Sequence, residues 1–437
     1  MNWLKGLYIN LFKSKFAKNI VLVAGGTAFA QAMGVIFSPI ITRIYPPDEY
    51  GILTVYSAVL GLIAISASLD YQKAIPIAAD DEKAINLLAL SIIILILFVA
   101  LTILILALCG GTVLNIIDSE TLLNYKYLIP VGVLFTGIYD IFIQWAYRMR
   151  NYKDISKTKV SQSITANLIK ITLGLLKIGP IGLIFGTILG QSAGITTLSL
   201  PIIQDKKITK KINSKEIINM AKRYVKFPLY SATSNYVYTA GTQLPILFLT
   251  SLFGSTVIGL FGLANSIISL PMNLIGTSVA QVFYAEAAKI GKTNPKELKR
   301  LSVQITKKLA IIGLIPLIII ISSGPWLFSF VFGSQWHGAG LYAQIISVMI
   351  YFHFIIMPLG RVLEIFERQR EGLLLNILSL SAFLSCFGFA KFLQLNAYQT
   401  VALYSFLGSS AYLLLFIVVQ FIINDEIKKK ISADLEL

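Results

Sequence analysis

Apolar runs of membrane-crossing length alternate with short polar loops along almost the whole chain. A spanning helix needs roughly 20 mostly apolar residues. Uncharged stretches run over 19–42, 50–69, 84–117, 178–204 and 392–424. Two longer ones, 227–285 and 309–360, each hold two helices, with breaks expected at Leu252-Phe253-Gly254-Ser255 and at Gly333-Ser334-Gln335-Trp336-His337-Gly338. Spans near 126–148, 155–177 and 371–391 complete a set of twelve. The pattern predicts an all-α polytopic membrane protein.

The loops test that count. With both termini placed in the cytoplasm, the cytoplasmic regions hold 32 Lys and Arg residues. The outer side and the outer helix halves hold five: Arg43, Lys126, Lys170, Lys177 and Lys391. Such an alternation is what the positive-inside rule requires, and a missed helix would scramble it. The most polar internal segment, 204–226, carries eight Lys and Arg against two acids and leaves six spans on either side. Pro39 lies twelve residues before Gly51, and Pro245 lies fourteen before Gly259, each at an outer turn leading into a long helix, 50–79 or 256–288. Six spans followed by six in the same orientation form a parallel pseudo-repeat, which puts a substrate cavity between two six-helix lobes. The expected organisation is a basic amphipathic segment over 1–18, an N-lobe over 19–203, a basic linker over 204–221, a C-lobe over 222–424 and a cytoplasmic tail over 425–437. Residues 3–16 mix aromatics with lysines as an interfacial helix does. No small-residue cleavage site follows the first apolar run, so a removable signal is not expected.

Composition sharpens this picture. Of 437 residues 56% are hydrophobic and 13% charged, against about 25% charged in a soluble chain. The net charge of +16 would suggest nucleic acid in a soluble protein. Here its placement in loops accounts for it, and nucleic acid is not an expected partner. Cys109 and Cys386 both lie in apolar runs and give no disulfide framework.

No catalytic or metal motif emerges. His337 and His353 are sixteen residues apart without a Glu-flanked pair. Gly291-Lys292-Thr293 lacks the first glycine of a phosphate loop, since Glu286 occupies that position, and reads as a helix cap. Gly182, Gly186, Gly190 and Gly194 recur every fourth residue, clearing one helix face for a close neighbour. Intramembrane charge is more informative, at about 2.5–3.5 kcal/mol per residue on insertion scales. Lys170 lies in the middle of the fifth span, about three turns from Lys159 and two from Lys177, and either faces a water-filled cavity or snorkels in part. Arg43 precedes Asp48 and Glu49, either of which can pair with it. Asp70 and Lys73 end the second span, and Asp140 and Gln144 lie toward the cytoplasmic end of the fourth. Arg361, Glu364 and Glu367 follow helical spacing and can satisfy one another. Tyr236, Tyr238, Gln243, Asn265, Gln281 and Tyr284 interrupt the longest uncharged stretch, either lining a cavity or bonding between helices.

Several segments carry a family resemblance. Arg43-Ile44-Tyr45-Pro46-Pro47-Asp48-Glu49-Tyr50-Gly51, then Asp70-Tyr71-Gln72-Lys73-Ala74-Ile75-Pro76, resembles the first helical pair of bacterial oligosaccharide flippases of the polysaccharide transporter family. Gln144-Trp145-Ala146-Tyr147-Arg148 is similar to the family's fourth-to-fifth junction. The run from Ile258 through Asn265 to Leu270-Pro271-Met272 and Gln281-Val282-Phe283-Tyr284 is similar to its eighth helix. The resemblance covers essentially the whole chain. It implies two six-helix lobes around a cavity that opens alternately to either side of the bacterial inner membrane. It also implies translocation of an undecaprenyl-diphosphate-linked sugar repeat unit to the outer leaflet for O-antigen, capsule or exopolysaccharide assembly. No cofactor is implied, and a proton or sodium ion as coupling ion stays open. A polysaccharide polymerase and its chain-length machinery are the implied partners of a monomeric protein. On that reading Arg43, Lys73, Lys170 and Arg361 contact phosphate or acidic sugar, and Asp70, Asp140, Gln144, Gln243 and Gln281 contact hydroxyls. The main alternative is the multidrug exporter branch of the same superfamily, whose cationic substrates would call for acidic residues deep in the lobes. A peptidoglycan-precursor flippase would carry additional helices. A membrane glycosyltransferase would show an acidic metal motif or a large loop, and a scaffold would have no need of intramembrane charge.

Overall fold

The computed structural model describes residues 15–116, 120–270, 272–290 and 294–435. Residues 3–14 of the expected interfacial segment, and the Gly291 cap, lie outside the described residues. Among the described residues the regular structure is helical, and nine helices are long and apolar enough to cross a membrane. One of these, 227–268, joins two passes. The second and fifth passes are shorter or more polar than that criterion, so the order of passes agrees with the twelve expected.

The chain divides into two compact units, 1–251 and 252–437. In the first, α1 (Lys15–Ile44), α2 (Pro47–Ala64), α3 (Asp81–Ile116), α4 (Leu128–Arg148) and α5 (Tyr152–Leu175) are followed by α6 (Pro180–Ser192), α7 (Ile195–Gln204) and α8 (Ser214–Arg223). α9 (Thr233–Ile268) follows a π-helical turn at Phe227–Ala232 and breaks at Gly254, whose φ of 80° stops a helix. The second unit continues with α10 (Thr277–Ile290), α11 (Pro295–Phe332), α12 (His337–Ile356), α13 (Gln369–Phe392) and α14 (Ala397–Leu435). Packing divides the chain at 251 and 252, whereas loop composition divides it near 222. The start of α9 is bonded into the first unit, as described below.

Two expected long helices are each interrupted. The one over 50–79 stops at Ala64. Leu69 and Asp70 then take φ of 50° and 60°, and a 3-10 turn runs over Tyr71–Ile77. Consecutive left-handed residues cannot continue a right-handed helix. The one over 256–288 passes through a π-helical turn at Met272–Gly276, beside Pro271, which brings no amide donor to the sequence. α3 starts three residues before its uncharged run. Asp80 caps it by accepting from the Lys83 amide at 2.8 Å and the Lys83 ammonium at 2.6 Å. These bonds hold the Asp80 carboxyl below its usual pKa.

The glycine ladder serves close packing. A Cβ on Gly190 would lie 2.6 Å from Ala166 Cβ, and one on Gly194 2.6 Å from Thr158 Cβ. One on Gly186 would strike the Lys170 side chain, and one on Gly182 the Tyr45 hydroxyl. Thus α6 lies antiparallel against α5 with no room for a methyl. Gly190→Leu is expected to destabilise the protein by roughly 3 kcal/mol, read as a lower melting temperature in detergent. A similar approach joins α11 and α12. They turn back at Gly333 (φ 113°), and a Cβ on Gly340 would lie 2.5 Å from the Gly324 carbonyl. At the opposite end of α11, Phe283, Leu298, Leu359, Val362 and Val419 are fully buried in one cluster.

Candidate functional site

In the first unit, three helices carry polar residues about every fourth position, so each presents a polar stripe. On α4 the stripe is Thr136, Asp140, Gln144 and Arg148. On α5 it is Lys159, Ser163, Asn167 and Lys170. Ser231, entering α9, is followed by Asn235, Thr239 and Gln243. The spacing is legible in the sequence once the helices are placed.

Arg148 fixes the base of this arrangement. Its guanidinium donates to the Ala78 carbonyl at 2.7 Å and the Ile75 carbonyl at 3.2 Å, and it pairs with Asp81 at 2.8 Å. One side chain thereby joins the end of α4, the 3-10 turn and the start of α3. Arg148→Lys is expected to cost about 1–3 kcal/mol, because an ammonium cannot span the three acceptors. A thermal melt compared with wild type checks this.

The 3-10 turn presents Asp70 and Lys73. The Asp70 side chain is 2% exposed and its Oδ2 accepts from Lys73 Nζ at 2.9 Å. The same oxygen accepts from Ser231 Oγ at 2.7 Å and Asn235 Nδ2 at 2.6 Å. Nearby, the Tyr71 hydroxyl donates to the Ala221 carbonyl at 3.0 Å, docking α8. Asp70 is thus engaged with protein donors, while Lys73 is 39% exposed.

Asp140 lies within electrostatic reach of Lys159, Lys73 and Asp70, and is itself accessible. Lys159 sits with its ammonium 4.9 Å from the centroid of the Tyr139 ring, and the Tyr139 hydroxyl lies 3.0 Å from that of Thr158. Residues on four segments (the 3-10 turn, α4, α5 and the start of α9) therefore converge at one end of the unit. Gln144 is one turn from Asp140. Gln243 faces α2, with its side chain 3.7 Å from where a Gly61 Cβ would stand.

Lys170 stands apart. The helix ends at Leu175, so Lys170 is nearer that end than the middle. Its stem lies over Gly186, and the Tyr45 hydroxyl donates to its carbonyl at 2.7 Å. Among the described residues no acceptor bonds its ammonium and no carboxylate lies close enough to act on it. Among the described residues two further polar atoms, Gln31 Oε1 and Thr136 Oγ1, are buried without a partner. Arg43 is exposed near the end of α1, away from the converging group in sequence and fold.

In the second unit Arg361 lies beside Tyr284, one turn along α10 from Gln281. The Arg361 guanidinium lies 5.8 Å from the centroid of the Tyr284 ring. Arg361 also pairs with Glu364 at 2.6 Å, the i, i+3 partner expected. All three are exposed. Among the described residues no group of His, Cys, Asp and Glu can hold a metal.

The sequence analysis did not name Lys159, Ser231 or Asn235 as site residues. The four-residue polar spacing was the available signal for Asn235. Only the fold brings Ser231 and Asn235 to Asp70.

Comparisons with known proteins agree with this architecture. The family model described as polysaccharide biosynthesis protein matches residues 40–340. No curated protein sequence matches the chain. Among solved structures, an inward-facing multidrug resistance MATE family transporter of the MOP superfamily is similar with a TM-score of 0.74 and 15% identity, over 92% of this chain and 96% of that one. The lipid II flippase MurJ, in an inward closed conformation, gives a TM-score of 0.74 and 13% identity, over 92% and 87%. A MOP superfamily transporter from Pyrococcus furiosus, described as having a binding pocket of reverse polarity, gives 0.61 and 14%, over 96% and 98%. At these identities the likeness is one of fold.

Proposed function

Since the chain belongs to the polysaccharide biosynthesis protein family, as the match over 40–340 shows, we propose that it flips a polyprenyl-diphosphate-linked oligosaccharide. Transport runs from the cytoplasmic to the outer leaflet of the bacterial inner membrane, with both termini in the cytoplasm. The observation that carries this reading is the polar character of the first unit's interior. Lys73 and Asp70 pair with each other, which leaves Lys159 and Lys170 against Asp140. An anionic diphosphate cannot enter hydrocarbon unaided, because an unpaired buried charge costs many kcal/mol. Lysines offset that charge, while Asp140, Gln144 and Gln243 supply hydrogen bonds to sugar hydroxyls. Arg361 and Gln281 present the same chemistry on the second unit. The lipid tail stays in the bilayer, so only the headgroup needs a polar path.

A multidrug exporter of cationic molecules would call for the opposite balance, with carboxylates exceeding ammonium groups. The test is a proteoliposome assay with a fluorescent undecaprenyl-diphosphate oligosaccharide, scored by its accessibility to an external lectin. Protein-dependent transfer between leaflets is the expected result. Absence of transfer, together with export of a cationic dye against an ion gradient, would overturn the reading.

A further inference from the structure

The short helix α8 is tied down at both ends. Asn86 Oδ1 accepts from the Asn213 amide at 2.9 Å, and its amide group donates to the Lys211 carbonyl at 3.1 Å. Asn213 in turn caps α8, accepting from the Lys215 amide at 2.9 Å. At the far end the Tyr71 hydroxyl donates to the Ala221 carbonyl. Both anchors belong to the junction between the second and third passes. Asn86 is the third residue of the uncharged run over 84–117, so the linker is bound where α3 enters the membrane. A helix of 10 residues, about 15 Å long, is thereby held along that level. It packs on α3, with Met220 buried.

The face turned away from Met220 carries Lys215, Ile218 and Lys222 at helical spacing, followed by Val225 and Lys226. All five are exposed, Ile218 at 55%. A helix facing water sets acids four residues from its lysines and turns isoleucine inward. Here the positions four away from Lys215 and Lys222 are Lys211, Asn219, Ile218 and Lys226, and none is an acid. Glu82 pairs with Lys211, and Glu216 accepts from Asn219. Among the described residues no carboxylate pairs with Lys215, Lys222 or Lys226. A helix facing hydrocarbon would exclude these ammonium groups. The headgroup layer takes both kinds of side chain, isoleucine toward the acyl boundary and lysine toward phosphate.

We propose that this face of α8 binds anionic phospholipid headgroups of the leaflet beside it. The charge is complementary, and the two anchors set the helix at the depth of the phosphates. The proposal is independent of what the protein flips. Only the identity of that leaflet, the cytoplasmic one, follows from the placement of the loops.

The experiment measures the affinity of the full-length protein, in neutral detergent, for phosphatidylglycerol and for phosphatidylcholine by native mass spectrometry. Wild type is compared with Lys215→Gln/Lys222→Gln, with Ile218→Ser, and with Lys153→Gln/Lys157→Gln, which removes two exposed charges from α5 instead. Hydrogen exchange over 211–226 locates the contact. Loss of the two α8 lysines is expected to weaken phosphatidylglycerol roughly 25-fold, about fivefold for each charge near an anionic surface. Phosphatidylcholine binding is expected to stay unchanged in that variant. Ile218→Ser is expected to weaken phosphatidylglycerol about fivefold through lost apolar contact, and the α5 variant to match wild type. Only phosphatidylglycerol is expected to slow exchange over 211–226. Equal weakening in the α5 variant would overturn the proposal by showing that net charge alone attracts the lipid. Unchanged affinity in the α8 lysine variant, or unchanged exchange over 211–226, would overturn it as well. Displacement of phosphatidylglycerol by soluble poly-glutamate, with no effect of Ile218→Ser, would overturn it in favour of an acidic protein partner.

Discussion

Lys170→Met is expected to slow flipping roughly hundredfold, because one lost charge-assisted contact in a low-dielectric site is worth about 3 kcal/mol. The same variant is expected to melt no lower than wild type. An ammonium within a span carries a cost of about 2.5–3.5 kcal/mol on insertion scales. Among the described residues nothing pairs with that of Lys170. Methionine keeps the unbranched stem over Gly186 and removes the charge. Stability and transport therefore move in opposite directions, which a packing role alone would not produce. Unchanged flipping would show that the ammonium merely reaches outward past the end of α5 and that phosphate is met elsewhere.

Asp70→Ala is expected to lower stability by about 3 kcal/mol through loss of hydrogen bonds to a buried charged acceptor. Lys73, at 39% exposure, turns to water and adds little to that loss. Ser231 and Asn235, both half-buried, lose the acceptor that ties the start of α9 to the 3-10 turn. Hydrogen exchange followed by mass spectrometry should show faster exchange over 227–235 than in wild type, while α11 and α12 stay protected. Asp70→Asn is expected to lose less, since asparagine tolerates the left-handed backbone at φ 60° and still accepts one bond. Uniform loss of protection across the chain would argue that Asp70 supports the fold at large and not the attachment of α9.

These two residues also mark where sequence reasoning succeeds and stops. Hydrophobic length located the passes, because the bilayer imposes it, and glycines in turn contexts located the breaks at Gly254 and Gly333. The glycine ladder could be read because a helix face has a fixed period. Where α2 ends could not. The run 50–69 is uncharged throughout, yet the helix ends at Ala64, a point that neither charge nor a proline or glycine marks. Asp70 was visible as a charge at a span end, but its partners lie 161 and 165 positions away and are ordinary polar residues in their own segment. Lys170 was visible for the opposite reason, since a lone charge in an apolar run needs no partner to be noticed. Its depth depended on where α5 terminates, which the uncharged residues around it leave open.

Among the described residues Arg148 grips the main chain at Ile75 and Ala78 and one side chain, that of Asp81. A main-chain carbonyl is present whatever residue carries it, so the clamp is blind to the identities of those two positions. Drift at 75 to 78 is then limited only by local packing: Ile77, which is 64% exposed, is free to vary, whereas position 148 is confined to the one side chain with a rigid multi-donor fork. A saturation library of this junction would therefore show an intolerant column at 148 and a permissive one at 77, while the buried Ile75 and Ala78 would answer to packing and not to the clamp.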